Sequence, residues 1–362
     1  MQVLPTLVLG CLLVLPTAAP APAQQGERYT LAGEEVAIYN LAGALTVEPG
    51  TGSVVVELTR GGADAAKLTV ERGEVDGREA LRVRYPDQTI VYPVLGAGSS
   101  TTLRVREDGT FGHGRGWHND DDDDHDQDRG RKTKITGDGQ GLRAHADVKV
   151  RMPTGYRVSV YLAAGKVSIA NVNGELMVDG HSAEVTSSGT KGTLVLDVGS
   201  GDVKVTGAEG TLDVDTGSGS VEVSGFTGDE LGIDTGSGGV TGSQVTAKEI
   251  HIDTGSGDIE LTAVNAPVLA LETGSGSVGA DLRGPVKDLS VETGSGNISV
   301  RAPASLAAEV ELETASGGIE TDFALQVTRH SRDHVIGQIG AGTARVAIET
   351  GSGDIRLLKS SN

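Results

Sequence analysis

The sequence predicts an all-β fold: a single-stranded parallel β-helix, or β-solenoid, of the usual right hand, with an all-β N-terminal cap. A seven-residue phrase, clearest as Asp253–Ile259, recurs with a period near 19 residues. Such a period is typical of a solenoid, in which each repeat is one coil. Glycine supplies 54 of the 362 residues, whereas aromatic residues supply only 3%. A thin aliphatic core with glycine at tight corners fits both figures.

Ten copies of the phrase define the predicted solenoid. Successive copies begin 18, 18, 18, 19, 19, 19, 20, 21 and finally 36 residues apart. Two degenerate copies begin at Tyr161 and Asp179, and clear copies follow. These spacings predict about ten coils over residues 158–358 and a short tail over residues 359–362. The clear copies begin at Asp197, Asp215, Asp234, Asp253, Glu272, Glu292, Glu313 and Glu349.

Each coil is predicted to contain two strands and two turns. Ile250 and Thr254 alternate with polar residues, so they face inward while their neighbours face water. Gly255–Gly257 breaks the strand at a corner, and Ile259 and Leu261 then point inward again. Like strands stack in parallel about 4.8 Å apart. Right-handed crossovers are the usual hand, although coils of 18 residues also suit left-handed triangular solenoids.

Stacking aligns identical residues in rows along the solenoid. The acids that begin the clear copies point outward and form an acidic surface column, which is a candidate contact surface. Two unit charges 4.8 Å apart repel by about 1 kcal/mol in water, so this column must be solvated or neutralised by cations. The second residue of the phrase points inward, and its hydroxyls are expected to hydrogen-bond to one another. This structural ladder comprises Thr216, Thr235, Thr254, Thr273, Thr293, Thr314 and Thr350.

The N-terminal residues predict export. Leu7–Leu15 is an apolar run too short to span a bilayer, and Ala21–Ala23 supplies a small-x-small pattern, so residues 1–23 are interpreted as a signal peptide. Cys11 loosely matches a lipoprotein cleavage box, but the apolar run continues beyond it, so lipoprotein anchoring is not expected. We expect a protein exported to the periplasm, the outer surface or the medium, without a transmembrane span.

Two regions depart from the repeat. Residues 24–157 lack the phrase but alternate strongly, which predicts the all-β cap. Within it, an acidic insert at about residues 108–142 is expected to be disordered because it is Gly-rich and contains Asp120–Asp124. The 36-residue gap before Glu349 is expected to hold about one coil and an insertion around His330–His334. The edge of the final coil would then be open to oligomerisation.

Charge and spacing argue against most ligands. The net charge of −20 disfavours nucleic acid and anionic membranes as partners. The residue after the second corner glycine is aspartate in only three of eight copies, Asp202, Asp258 and Asp354, so no calcium site is predicted. The histidines near the aspartates are interpreted as solvated because fixed ligand geometry is missing, and no metal or cofactor is predicted. These histidines are His113, His118, His125, His330 and His334.

The chain resembles a bacterial putative-adhesin family of exported β-strand-repeat proteins with largely unknown function. The resemblance rests on Val148–Pro153 before the first coil, Asn173–Leu176 after it, and the repeated Thr-Gly-Ser-Gly phrase, and it covers about residues 145–358. It implies a single-stranded β-helix in the bacterial envelope. The family has no catalytic motif that transfers to this chain, and it implies no ligand.

Two classes of function stay open. Uniform short corners favour a non-enzymatic module that binds or scaffolds at the cell surface or envelope, with surface glycans or envelope proteins as partners. The alternative is a carbohydrate-active β-helix enzyme, a polysaccharide lyase or hydrolase, which needs acids and bases that converge in one groove. The residues considered for such a groove are Asp281, Arg283, Asp288, Arg301, Arg329, Arg332 and Asp333.

Overall fold

A computed structural model describes residues 26–112 and 130–360. Within these residues it contains 29 strands and two short 3₁₀ helices, Ala65–Lys67 and Pro93–Leu95. One continuous sheet holds 26 strands, and a separate small sheet holds three. The predicted all-β solenoid is confirmed, whereas its right-handed winding stays a prediction. The predicted signal peptide with Cys11, the tract Asp120–Asp124 and the three histidines around it lie outside the described residues.

Each regular coil has one strand before the Gly-Ser-Gly corner, the first arm, and one strand after it, the second arm. First arms pair in parallel and in register, as Asp253 does with Asp234 and Glu272. Second arms pair in the same way, as Ile259 does with Val240. In β10 (Arg157–Ala170) and β11 (Asn173–Ser188) one continuous strand spans both arms. The later arms are β12 Lys191–Ser200, β13 Val203–Thr206, β14 Glu209–Ser218, β15 Val221–Ser224, β16 Thr227–Ser237, β17 Val240–Ser243, β18 Glu249–Ser256, β19 Ile259–Val264, β20 Val268–Ser275, β21 Val278–Leu282, β22 Asp288–Ser295 and β23 Ile298–Ala302.

Strand alternation decides which side chains form the core. In β18, Ile250, Ile252 and Thr254 are buried while the residues between them are exposed. In β19, Ile259 and Leu261 are buried. Because each coil stacks on the next, these side chains join one aliphatic column that continues along the solenoid. Burial of each Val, Leu or Ile side chain stabilises the fold by about 1.5–3 kcal/mol.

The corners are close-packed through the backbone. A Cβ atom added at Gly238 would lie well inside van der Waals distance of the Gly219 carbonyl oxygen of the preceding coil. The same clash would occur at Gly257 against Gly238 and at Gly276 against Gly257. Glycine is therefore required at this corner position by the close approach of adjacent coils, more than by its freedom to adopt positive φ.

The parallel stack begins earlier in the chain than predicted. Strand β2 (Glu35–Gly50) pairs in parallel with β10, from Glu35 opposite Arg157 to Val47 opposite Ile169. Residues 35–50 therefore form a coil within the region that was predicted to be only a cap, because backbone pairing needs the corner glycine Gly43 but not the complete phrase. A Cβ atom at Gly165 would clash with the Gly43 carbonyl oxygen, as at the later corners.

Shorter strands close the outer edge of β2. Its first half pairs with β5 (Arg78–Arg84) and its second half with β9 (His145–Pro153), both in parallel. Three further strands, β4 (Thr69–Val75), β3 (Val54–Gly61) and β1 (Glu27–Leu31), extend these pairs in antiparallel fashion. The small sheet consists of β6 (Thr89–Val91), β7 (Ser100–Val105) and β8 (Arg131–Thr136), in the order β6-β8-β7.

The prediction of a disordered insert over residues 108–142 is wrong at both described ends. Thr110 and Phe111 are buried at one end. At the other end, β8 pairs with β6 and β7, and its Thr133 and Ile135 are fully buried. The Lys-Thr-Lys-Ile sequence at residues 132–135 alternates as a strand does. The sequence analysis did not recognise it because the neighbouring residues are rich in glycine and charge.

The C-terminal coils do not stack in chain order. β28 (Ala344–Ser352) pairs with β22 on one side and β24 (Ala308–Ser316) on the other. Likewise, β29 (Ile355–Lys359) lies between β23 and β25 (Ile319–Thr321). The coil that contains Glu349 is therefore inserted between the coils of Glu292 and Glu313. The expectation of an open edge at the last coil in the sequence is wrong, since both arms of that coil are paired on both sides.

The segment before this inserted coil closes the end of the solenoid. β26 (Leu325–His330) and β27 (His334–Ile339) form an antiparallel hairpin, and β27 pairs antiparallel with β24. The gap was predicted to hold a further coil, but it forms this hairpin instead. Because β27 runs antiparallel to β24, no further coil can stack in parallel on β24. The parallel sheet of first arms therefore ends at this strand.

Gly238→Ala is expected to destabilise the protein by about 1–3 kcal/mol, because the added Cβ overpacks the corner against the Gly219 carbonyl. The adjacent substitution Gly239→Ala is the matched control, since its Cβ would lie 3.5 Å from its nearest neighbour, the Asp258 carbonyl oxygen. We expect that control to change stability by about 0.5 kcal/mol or less. Chemical denaturation measures both variants. Equal losses in the two would contradict close corner packing.

Candidate binding surface

A continuous row of nine carboxylates runs along the outer face of the first arms. Parallel pairing joins Asp179 to Asp197 and continues, one coil at a time, to Glu292, then to Glu349 and finally to Glu313. The sequence predicted eight of these residues as a column but placed Glu313 before Glu349. In order of stacking, this carboxylate row consists of Asp179, Asp197, Asp215, Asp234, Asp253, Glu272, Glu292, Glu349 and Glu313.

Exposure increases along the row. Asp179 is buried, Asp197 and Asp215 are half-buried, and the six acids from Asp234 to Glu313 are exposed. Within the described residues, no lysine or arginine forms an ion pair with the consecutive acids of this exposed part from Asp234 to Glu292. Neighbouring acids of the row lie on strands about 4.8 Å apart, and unit charges at that distance repel by about 1 kcal/mol in water. The exposed part of the row therefore favours cations or cationic groups.

Two tyrosines occupy the same row at its N-terminal end. Tyr39 pairs with Tyr161, which in turn pairs with Asp179. The two rings are stacked with centroids 4.4 Å apart, and Phe111 meets the Tyr39 ring edge-on at 6.0 Å. Burial raises the pKa of both tyrosine hydroxyls, so they are neutral across the physiological range. This end of the row is aromatic and covered, whereas its other end is exposed and charged.

Ion pairs between coils neutralise acids elsewhere on the surface. Lys166 lies 2.7 Å from Glu184, Lys191 lies 2.8 Å from Glu209, and Lys204 lies 2.6 Å from Glu222. These acids lie outside the carboxylate row. Exposed pairs of this kind contribute about 0–1 kcal/mol each. The acids from Asp234 to Glu292 differ from these, because none of them has a lysine or arginine partner in the part of the chain that the structure describes.

The predicted threonine ladder is buried, but its hydrogen bonds differ from the prediction. All seven threonines are at most 5% exposed. Their hydroxyls do not bond to one another: Thr254 Oγ1 donates to the Gly238 carbonyl at 3.1 Å, and Thr273 Oγ1 donates to the Gly257 carbonyl at 3.0 Å. Each of these donors therefore reaches a corner carbonyl of the adjoining coil instead of the next threonine hydroxyl. Thr216 is different, since its buried hydroxyl has no hydrogen-bond partner among the described residues.

The corner aspartates that were weighed as calcium ligands bond to the backbone. Asp202 Oδ1 accepts a hydrogen bond from the Ser220 amide at 2.9 Å, and Asp258 Oδ1 accepts one from the Ser277 amide at 2.8 Å. Asp354 Oδ1 accepts one from the Gly318 amide at 2.9 Å. Each aspartate therefore satisfies a corner N–H group of the adjoining coil, which is a structural role that the sequence analysis missed.

The histidines of the C-terminal hairpin have separate surroundings. His334 Nε2 lies 3.0 Å from a Glu311 carboxylate oxygen and 3.9 Å from one of Glu313. Asp333 instead accepts a hydrogen bond from the Ser331 hydroxyl at 2.6 Å, which lowers the pKa of that carboxyl. His330 lies on β26, opposite Val335. The pairing of His330 with His334 that i,i+4 spacing suggested requires a helix, and this segment is a hairpin.

The residues considered for an enzymatic groove lie on separate parts of the structure. Asp281, Arg283 and Arg301 belong to second arms or the turns that follow them, and Arg283 pairs with Asp281 at 2.6 Å. Asp288 lies on a first arm, opposite Arg345. The remaining residues, Arg329, Arg332 and Asp333, belong to the C-terminal hairpin.

Comparison with protein-family models identifies the family to which this protein belongs. The model of the Toastrack DUF4097 family matches residues 126–358, so the chain belongs to this family. The resemblance to adhesin-type repeat proteins of unknown function is thereby confirmed. No curated protein matched the chain. Within residues 26–112 and 130–360, no helix is long and apolar enough to cross a membrane.

Among solved structures, the chain is similar to a putative cell adhesion protein from Clostridium sporogenes. The two chains are 10% identical, and the comparison covers 93% of this chain and 99% of the other, with a TM-score of 0.20.

Thr254→Val is expected to destabilise the protein by about 1 kcal/mol, because the Gly238 carbonyl loses a buried hydroxyl donor. Thr216→Val is the matched control at the same point of another coil, where the hydroxyl has no partner. We expect it to be neutral or stabilising, since a desolvated hydroxyl is replaced by a methyl group. Thermal and urea unfolding compare the two. Equal destabilisation would contradict the assigned hydrogen bonds.

Proposed function

We propose that this protein is an exported, non-enzymatic β-solenoid that serves as a binding or scaffolding module of the cell surface or envelope. The observation that carries the proposal is the carboxylate row, in which six exposed acids repeat in register along one face. Membership of the Toastrack family is consistent with a surface binding module. The N-terminal pattern in residues 1–23 supports export.

A row of equal charges at a fixed spacing suits weak, repeated contacts. Each acid at a spacing of about 4.8 Å offers one contact to a cationic group, and a polymer with several such groups engages many acids together. Linked contacts raise the overall affinity far above that of a single contact. We therefore expect partners with repeated positive charges, among them amino-sugar glycans and basic segments of envelope proteins.

The carbohydrate-active alternative requires a different arrangement. Hydrolysis or elimination depends on two or more non-repeating groups held at fixed positions around one bond. The candidates for these roles are divided among two second arms, a first arm and the hairpin. The acids from Asp234 to Glu292 are all exposed and occupy equivalent positions of successive coils, an arrangement that suits repeated recognition better than proton transfer.

Binding to chitosan, a cationic amino-sugar polymer, tests the proposal. A variant that neutralises Asp234, Asp253, Glu272 and Glu292 to their amides is expected to lose most of its binding to immobilised chitosan. The matched control converts four acids outside the row to their amides, and it is expected to bind chitosan as the wild type does. These acids are Glu230, Glu249, Glu260 and Asp288. Wild-type binding should fall steeply as salt rises, because exposed charges are screened.

Two results would contradict this function. An equal loss in the control would mean that net charge alone attracts the polymer, and that the row has no role. Turnover of a polysaccharide in an assay run alongside a glycan array, abolished by one Asp→Asn substitution, would establish the enzyme instead.

A further inference from the structure

The C-terminal end of the carboxylate row differs from the rest because an antiparallel strand lies beside it. Strand β27 pairs with β24 so that His334 lies opposite Glu313 and Ile336 lies opposite Glu311. The imidazole therefore extends the row beyond its last acid. Its Nε2 atom approaches the carboxylates of both Glu311 and Glu313, at 3.0 Å and 3.9 Å. One ligand atom from each of the three residues lies within 4.8 Å of the other two.

We propose that Glu311, Glu313 and His334 form a binding site for a first-row divalent cation, with Zn²⁺ as the best-suited ion. In a tetrahedral zinc site with bonds of 2.0–2.2 Å, neighbouring ligand atoms lie about 3.4 Å apart. The two measured separations from His334 Nε2 lie on either side of this value. Small rotations of the two glutamate side chains, which are about half exposed, are enough to reach it.

The donor set indicates which cation fits. Calcium and magnesium prefer all-oxygen surroundings, whereas zinc and its first-row neighbours bind imidazole together with carboxylates. The carboxylate row as a whole offers only oxygen, but its C-terminal end adds a nitrogen donor. That imidazole is also held in place, since the His334 side chain is only 14% exposed.

The acids around the three residues also favour a bound cation. Glu313 pairs with Glu349 of the inserted coil, so the two glutamates of the site adjoin a further acid of the row. A divalent cation would relieve the repulsion between them. A cavity of about 260 Å³ adjoins the site and is lined by Glu311, Ile336 and Ala347 among others. Of the three proposed ligands only Glu311 lines this cavity, so the cavity lies to one side of the cluster. The site shares Glu313 with the carboxylate row, but it contains none of the four acids, Asp234, Asp253, Glu272 and Glu292, that the chitosan-binding variant changes.

Calorimetric titration of the purified protein with ZnCl₂ tests the proposal. The wild type is expected to bind one Zn²⁺ ion that His334→Gln and Glu313→Gln each weaken by at least about tenfold. His251→Gln is the matched control, because His251 is an exposed histidine on a first arm outside the cluster. All these variants keep the histidines and aspartates of residues 113–129, so differences in zinc binding between them report on Glu311, Glu313 and His334.

Titration with CoCl₂ adds a readout of the ligands themselves. Bound Co²⁺ should give visible absorption bands that depend on His334, and these bands should be unchanged in His251→Gln. Circular dichroism without metal shows whether each variant is folded; if His334→Gln is not, Glu311→Gln and Glu313→Gln decide the question with the imidazole intact. The proposal would be overturned if folded variants that each lack one of the three ligands bound zinc with the affinity of the wild type.

Discussion

Backbone contact between coils at the Gly-Ser-Gly corner determines most of this structure. The Gly219 carbonyl lies so close to Gly238 of the next coil that no Cβ atom fits between them, and the same contact repeats at Gly257 and Gly276. Once the corners are held together, both arms must pair in register with the arms of the adjoining coil. A slip of one residue would move every buried aliphatic side chain to the outer face, so the core reinforces the register that the corner sets.

Registered stacking converts positions of the repeat into chemically uniform rows. Inward positions give an aliphatic core and a set of buried threonines whose hydroxyls bond to the adjoining corner. Outward positions give rows of surface groups, such as the nine acids of the carboxylate row. The same geometry that stabilises the fold therefore creates its candidate binding surface. The binding function proposed for this surface uses rows that the fold itself creates.

The sequence predicted the coil well because the phrase Asp253–Ile259 encodes an outward acid, an inward threonine and a corner together. It did not predict that residues 35–50 form a coil, since that segment shares only the alternation and Gly43 with the later copies. The position of the last coil was also missed. The coils of Glu313 and Glu349 carry nearly equivalent phrases, and either one matches the arm of Glu292, so pairing rules alone do not decide their order.

The connection between those coils decides their order. The hairpin of β26 and β27 covers the free side of β24, and the chain then returns to fill the space between β22 and β24. This arrangement also brings His334 beside Glu311 and Glu313, a contact between residues 23 and 21 positions apart that no spacing in the sequence indicates. The most distinctive chemistry of the surface thus arises where the repeat is interrupted.

Distances between spin labels on the outer face of the first arms test registered stacking most directly. With one label at Asp213 and the other at Ser290, Ala347 or Glu311, stacking at about 4.8 Å per coil predicts backbone separations of about 19, 24 and 29 Å in that order. Double electron–electron resonance measures all three pairs in solution. A shorter distance to Glu311 than to Ala347, or distances that do not grow with the number of coils, would contradict the account.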